Sequence, residues 1–350
     1  MLNRGVPVRL RRPLIAVAGA AVTVIALSAC ASGTTEANES GSAAASGEGF
    51  PITIEHAFGE TVIEAAPERV ATWGWGSTEA AAALGVYPVA IAEQVWTVGE
   101  GNYLPWVEEA YEAADVELPA LLSDPEGGAT VPYEEFIEAD PDVILAPYSG
   151  LTEEQYETLS EIAPVVAYPE APWTTPWDEE IRIVAEALGL ADEGEALLQD
   201  ISDGLAEQAA AHPEFEGKTF ASVWDGDGVM SVYTELDSRV EVLTELGLVP
   251  APSIAELDSS DGGFYYDLSY EQLDRLEADF IISFSSDQET ADAFLTKPEL
   301  QVIPAVAAGK VASVYDPVTV SSVSPPTALS FDWDRGMPVL IDSIAAALAE

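Results

Sequence analysis

"ADEGEALLQDISDGLAEQAAAH" (191–212) is the stretch on which the fold turns. Leu197, Leu198, Ile201 and Leu205 fall on one face at helical spacing, and no proline interrupts before Pro213. The pattern predicts a single long helix. Before it, short apolar runs alternate with helical segments: "RVATW" (69–73), "PVAIA" (88–92), "DVILA" (142–146) and "PVVAY" (164–168). After it the theme repeats in "TFASVW" (219–224), "VMSVY" (229–233), "DFIISF" (279–284) and "KVASVY" (310–315). β-Branched runs of this length between helical patterns predict parallel α/β sheets. The fold class expected is therefore α/β, two lobes joined by one long helix. A small hairpin, "ITIEHAFGETVIEA" (52–65), precedes the first lobe, with Phe58 and Gly59 near its turn.

The N-terminal end reads differently. Arg4, Arg9, Arg11 and Arg12 precede an apolar run from Leu14 to Ala26, and "LSAC" (27–30) follows. That order is a secretory leader, since a spanning helix needs about 20 apolar residues. Its last four residues resemble a bacterial lipobox, in which Cys30 is acylated and becomes the mature N-terminus. Cys30 is the chain's single cysteine, so no internal disulfide forms. "ASGTTEANESGSAAASGEG" (31–49) has no apolar periodicity and reads as a flexible tether. The expected organisation is a signal peptide at 1–29, a lipidated tether at 30–49, a first lobe at 50–176, a linking helical segment at 177–212 and a second lobe at 213–350. The expected location is the outer face of the cell membrane, held by lipid alone. With 62 acidic against 12 basic residues the formal charge is −50, and four of the basic residues lie in the leader. Such a surface repels nucleic acid.

Aromatic residues follow strand after strand. In "VATWGWGSTEA" (70–80), Trp73 reads as the last inward residue of a strand, whereas Trp75 sits between Gly74 and Gly76, which allow a tight turn. Ser77 is a good N-cap for the helical run behind it. In open α/β sheets ligands bind at the carboxyl ends of strands, which is where Trp75 falls. Trp96, Tyr148 and Trp173 occupy comparable places in the first half, Trp224 and Phe284 in the second. Six such positions predict two aromatic walls facing one another across a cleft, suited to a bulky amphipathic small molecule. Ser149 and Tyr233 are expected polar partners. Arg239 and Arg335 each open a helix beside the expected cleft and offer bidentate guanidinium contacts. Arg69 and Arg182 are assigned to structure. Direct metal ligation is not expected, because His56 and His212 are the chain's two histidines and lie far apart in sequence. "DGDG" (225–228) reads as a hairpin turn. Neither a G-x-S-x-G elbow nor a phosphate-binding glycine loop is present, so an enzyme or an adhesion module ranks behind a binding protein.

An internal repeat relates the halves. "EEFIEADPDVILA" (134–146) and "EQLDRLEADFIIS" (271–283) each place an Asp eight residues after an opening Glu, at Asp142 and Asp279. With "PERVATWGWGSTEAAAALGVYPVA" (67–90) these segments resemble the substrate-binding lipoproteins of ferric-siderophore ABC importers, a group that includes cobalamin and haem binders. The resemblance covers residues 50–350. It implies two Rossmann-like lobes joined by one rigid helix, with ligand held between them. It implies a ferric siderophore as cargo, with haem or cobalamin as the alternatives, and no cofactor, iron arriving inside its chelator. The acidic chain favours a neutral or cationic, hydroxamate-like chelate. It further implies a monomer delivering to ABC permease subunits, docked through one glutamate per lobe; the repeat points to Glu134 and Glu271.

Overall fold

The computed structural model describes residues 49–95, 101–226 and 228–349. The leader, Cys30, the tether up to residue 48 and Trp96 lie outside the described residues. A hairpin of β1 (Ile52–His56) and β2 (Gly59–Ile63) comes first, antiparallel as its turn predicts. Strands β3 (Val70–Thr72), β4 (Ala90–Ala92), β5 (Ala120–Leu122), β6 (Val143–Leu145) and β7 (Val165–Val166) form a wholly parallel sheet in the order β5-β4-β3-β6-β7. That is the Rossmann order, and it reverses between β3 and β6. The crevice beyond their carboxyl ends is where such sheets bind ligands.

The second sheet contains β8 (Thr219–Asp225), β9 (Val229–Tyr233), β10 (Val249–Pro250), β11 (Tyr265–Ser269), β12 (Phe280–Phe284) and β13 (Val311–Val314). It is mixed, which corrects the expectation of parallel sheets in both halves. β9 runs antiparallel to β8, and β11 antiparallel to β9. Three residues separate β8 from β9, too little chain for a parallel crossover, so the two must form a hairpin. Gly226 N–H donates to Val229 O at 2.9 Å to close it. β12 and β13 keep the parallel arrangement beside β8.

A helix of 21 residues spans Ala191–Ala211 between the sheets. Leu198, Ile201 and Leu205 on its apolar stripe are buried, with Leu197 partly buried beside them. They join a core that also takes Val70 and Val143 from the first sheet and Phe220 and Phe280 from the second. One continuous hydrophobic core therefore underlies both lobes. The opposite faces carry separate clusters, around Trp73 and Phe136 in the first lobe and around Met230 and Phe294 in the second.

The repeat has a structural cause. Asp142 accepts the backbone N–H of Glu68 at 2.7 Å and of Arg69 at 3.0 Å, tying β6 to the start of β3. Asp279 accepts the N–H of Thr219 at 2.8 Å, tying β12 to the start of β8. Each aspartate satisfies donors that the sheet edge leaves open. Arg69 donates to the carbonyls of Asp140 and Ala139, and Arg182 pairs with Asp178 and Glu195, both structural roles.

Candidate ligand-binding site

At the switch point of the first sheet the chain runs Trp73-Gly74-Trp75-Gly76 after β3, and Pro147-Tyr148-Ser149-Gly150 after β6. The two turns are in backbone contact. Trp75 N–H donates to Tyr148 O at 3.0 Å. Gly74 has φ of +93°, and a Cβ there would stand 2.3 Å from Tyr148 O, so no other residue fits unless the two turns move apart. The indole of Trp75 then crosses to the second lobe, where its Nε1 donates to Pro325 O at 3.1 Å.

Trp173 closes this wall from above. Its backbone lies at φ +59°, rare for a non-glycine residue, and its N–H donates to Ser149 O at 3.2 Å. The ring fits against Gly150, where a Cβ would come within 2.5 Å of the indole nitrogen, and against Gly128. It meets Tyr148 edge-on at 5.5 Å between centroids. Glycine contacts thus set the attitude of the Trp173 ring and the close approach of the two turns that carry Trp75 and Tyr148.

The second lobe supplies charge. Asp237 caps the helix Ser238–Thr244, and its Oδ1 accepts from Arg239 Nε at 2.7 Å. The Arg239 guanidinium lies 3.8 Å over the ring of Tyr233 and 5.9 Å from that of Phe284. Burial works against this cation, yet Asp237 beside it holds its proton affinity above the ordinary arginine range. Burial pushes the Asp237 carboxyl up, with Arg239 pulling against it. Tyr148 is also pushed well up by burial and by Asp237, which places the tyrosine hydroxyl within electrostatic reach of the pair.

Two cavities meet at Arg239 and Ser324. The smaller, of about 160 Å³, lies between the lobes and takes Trp75, Gln94, Asp124, Tyr148 and Trp173 from the first, Phe264 and Pro325 from the second. The larger, of about 550 Å³, takes Trp224, Tyr233, Ser285, Ser286, Pro317 and Val320. An aromatic wall, a stacked guanidinium and a second chamber suit a bulky ligand with oxygen acceptors.

Residues 70–317 match the periplasmic binding protein family. The chain belongs to that family. It is similar to PiaA of Streptococcus pneumoniae TIGR4 crystallised with ferrichrome, at 35% identity and a TM-score of 0.78, over 85% of this chain and 99% of that one. A second structure of PiaA, described as an iron uptake ABC transporter substrate-binding protein, aligns at 34% identity and a TM-score of 0.75 over the same shares. A periplasmic solute binding protein of Mycobacterium smegmatis follows at 25% identity and 0.68, over 85% of this chain and 97% of that one. No match is found among curated protein sequences.

In this periplasmic binding protein the cavities bring together Trp75, Tyr148, Trp173, Trp224, Tyr233 and Arg239, from both lobes. Three expected ligand contacts lie elsewhere. Ser149 is fully buried and its hydroxyl donates to Ala146 O at 2.8 Å, so it shapes the turn. Phe284 is 1% exposed and supports Tyr233 from below, edge-on at 6.2 Å. Arg335 is exposed, pairs with Asp316 at 3.0 Å and lines neither cavity. Sequence reasoning missed Gln94, Asp124, Phe264 and Pro325. They sit on loops with no periodic pattern, and Phe264 precedes a strand instead of following one. Glu134 and Glu271 are both exposed, the first in the helix Tyr133–Ala139 and the second in the 3-10 turn Tyr270–Arg275. Among the described residues no cluster of three His, Cys, Asp or Glu side chains is poised to hold a metal, and no helix is long and apolar enough to cross a membrane.

Proposed function

We propose that this chain is an extracytoplasmic lipoprotein that captures a ferric hydroxamate chelate and delivers it to an ABC importer, without catalysing a reaction. One observation carries the reading. A guanidinium stacked on Tyr233 faces a glycine-positioned wall of Trp75, Tyr148 and Trp173, in a chain 35% identical to a protein crystallised with ferrichrome. Arginine donates to hydroxamate oxygens without needing to lose a proton, and indoles cover the organic shell. Iron is cargo inside its chelator, and the protein needs no resident metal or cofactor. A neutral or cationic chelate suits a chain of formal charge −50 better than a trianionic catecholate.

Fluorescence titration tests this, because three tryptophans among the described residues line the cavities. Ferrichrome and ferrioxamine B should quench and saturate, with ferric enterobactin much weaker. Tighter binding of enterobactin, of haem or of cobalamin would overturn the assignment. Acylation at Cys30 would anchor the mature chain, and label from a palmitate analogue should disappear in Cys30→Ala. The exposed Glu134 and Glu271 would meet basic residues of two permease subunits. Glu134→Arg with Glu271→Arg should then abolish uptake and leave the chelate dissociation constant unchanged.

A further inference from the structure

One carboxylate lines the cleft with no cation paired to it among the described residues. Asp124 follows β5, is 7% exposed, and lines the smaller cavity with Trp75, Gln94, Tyr148 and Trp173. Its Oδ1 accepts the N–H of Gly128 at 2.6 Å, so the carboxylate is anchored where the loop turns under Trp173. A carboxylate has room for about four hydrogen bonds, so this contact leaves capacity for a ligand donor. Its charged neighbours are also acidic. Glu93 Oε1 accepts the backbone N–H of Asp124 at 2.9 Å, and Glu126 lies within electrostatic reach. Burial and these two acids raise the proton affinity of Asp124, the expected response of a carboxylate lacking a counter-charge.

No ion pair among the described residues involves Asp124. Residues 96–100, "WTVGE", contain no basic side chain to supply one. Among the described residues the one cation lining these two cavities, Arg239, is already paired with the fully buried Asp237. Those two charges cancel at close range. Asp124 therefore leaves the cleft one negative charge in excess.

We propose that Asp124 is a specificity-determining residue of the cleft, selecting ferric hydroxamates that carry a pendant primary ammonium over chelates of the same core without that charge. The inference rests on the hydroxamate reading above. An ammonium against a shielded carboxylate makes a charge-assisted hydrogen bond that salt screens poorly. The overall acidity of the chain cannot do the same work. It steers cations toward the protein, is screened by salt, and changes little when one carboxylate among 62 acidic residues is neutralised.

The test compares ferrioxamine B, which bears one ammonium, with its N-acetylated form, which has the same chelate and no charge. Calorimetric titration of the unmodified protein should give at least about tenfold tighter binding for the charged ligand. Asp124→Asn keeps an acceptor for Gly128 and should bring the two affinities together by weakening the charged ligand alone. An equal preference in Asp124→Asn and in the unmodified protein would overturn the assignment of Asp124. So would the absence of any preference in the unmodified protein, a result that does not depend on the variant folding. Binding of the acetylated chelate and ferrichrome reports separately on the hydroxamate reading: if neither they nor ferrioxamine B bind, that reading fails and this one with it.

Discussion

The two sides of the cleft are built by different means. On the first lobe, Gly74, Gly128 and Gly150 leave spaces that Tyr148 and Trp173 fill, so backbone geometry holds the wall in place. On the second lobe, Arg239 is held by side chains, through its pair with Asp237 and its stack on Tyr233. The first side supplies shape and the second supplies an oriented charge. A rigid wall costs little to order on binding, whereas a buried ion pair remains favourable only while both members are present.

The largest expected effect comes from breaking the charged side. Arg239→Ala leaves Asp237 fully buried without its counter-ion, and Asp237 Oδ2 already has no hydrogen-bond partner. Denaturant unfolding should show a loss of about 3–5 kcal/mol, together with loss of chelate binding. Replacing both residues by leucine should restore most of the stability and none of the binding, separating the cost of a stranded charge from the role of the cation.

Breaking the shaped side should cost less stability. Gly74→Ala forces a Cβ against Tyr148 O at φ +93° and should destabilise by about 1–3 kcal/mol. Because Trp75 and Tyr148 move together, chelate affinity should fall as well. Unchanged affinity in this variant would mean that the wall adjusts, and the contrast between the lobes would weaken.

The smallest effect sharpens the seam between them. Glu241 begins on the second lobe and accepts Trp177 N–H, at the start of the linking segment, at 3.4 Å. Burial, and then the charge of Asp178, push its carboxyl up to about 7. A folded-state value above the unfolded 4.5 contributes stability that is fully present below 4.5 and lost as pH rises through about 7. Glu79 and Glu180, raised mainly by burial, act in the same direction. The melting temperature should therefore fall between about pH 5 and pH 8 by way of these groups, and Glu241→Gln should flatten part of that slope.

How far the site could be read from sequence differs by residue type. Trp75 was legible because the glycines flanking it announce a turn at a strand end. Phe284 also ends a strand, but Tyr233 packs edge-on against it and it stays 1% exposed, a covering that no local pattern shows. Arg239 and Arg335 looked equivalent, each opening a helix near acidic residues. Only packing separates them: Tyr233, Phe284 and Asp237 enclose the first, while the second stays exposed beside Asp316. Asp124 carried no local signal, being one acidic residue among 62.

By itself the sequence determined the elements whose cause is local. The stripe at 197–205 makes a helix, β-branched runs make strands, and the repeated aspartates Asp142 and Asp279 mark where the first strand of each sheet is tied to its neighbour. These depend on residues near one another or on periodicity, which a linear chain displays. The tertiary structure alone decided strand order in the second sheet, which arginine is buried, and which loops converge on the cleft. Each of those depends on groups brought together from distant positions, as Trp75 and Pro325 are across 250 residues. Burial and electrostatic neighbourhood arise from that convergence, so no local pattern encodes them.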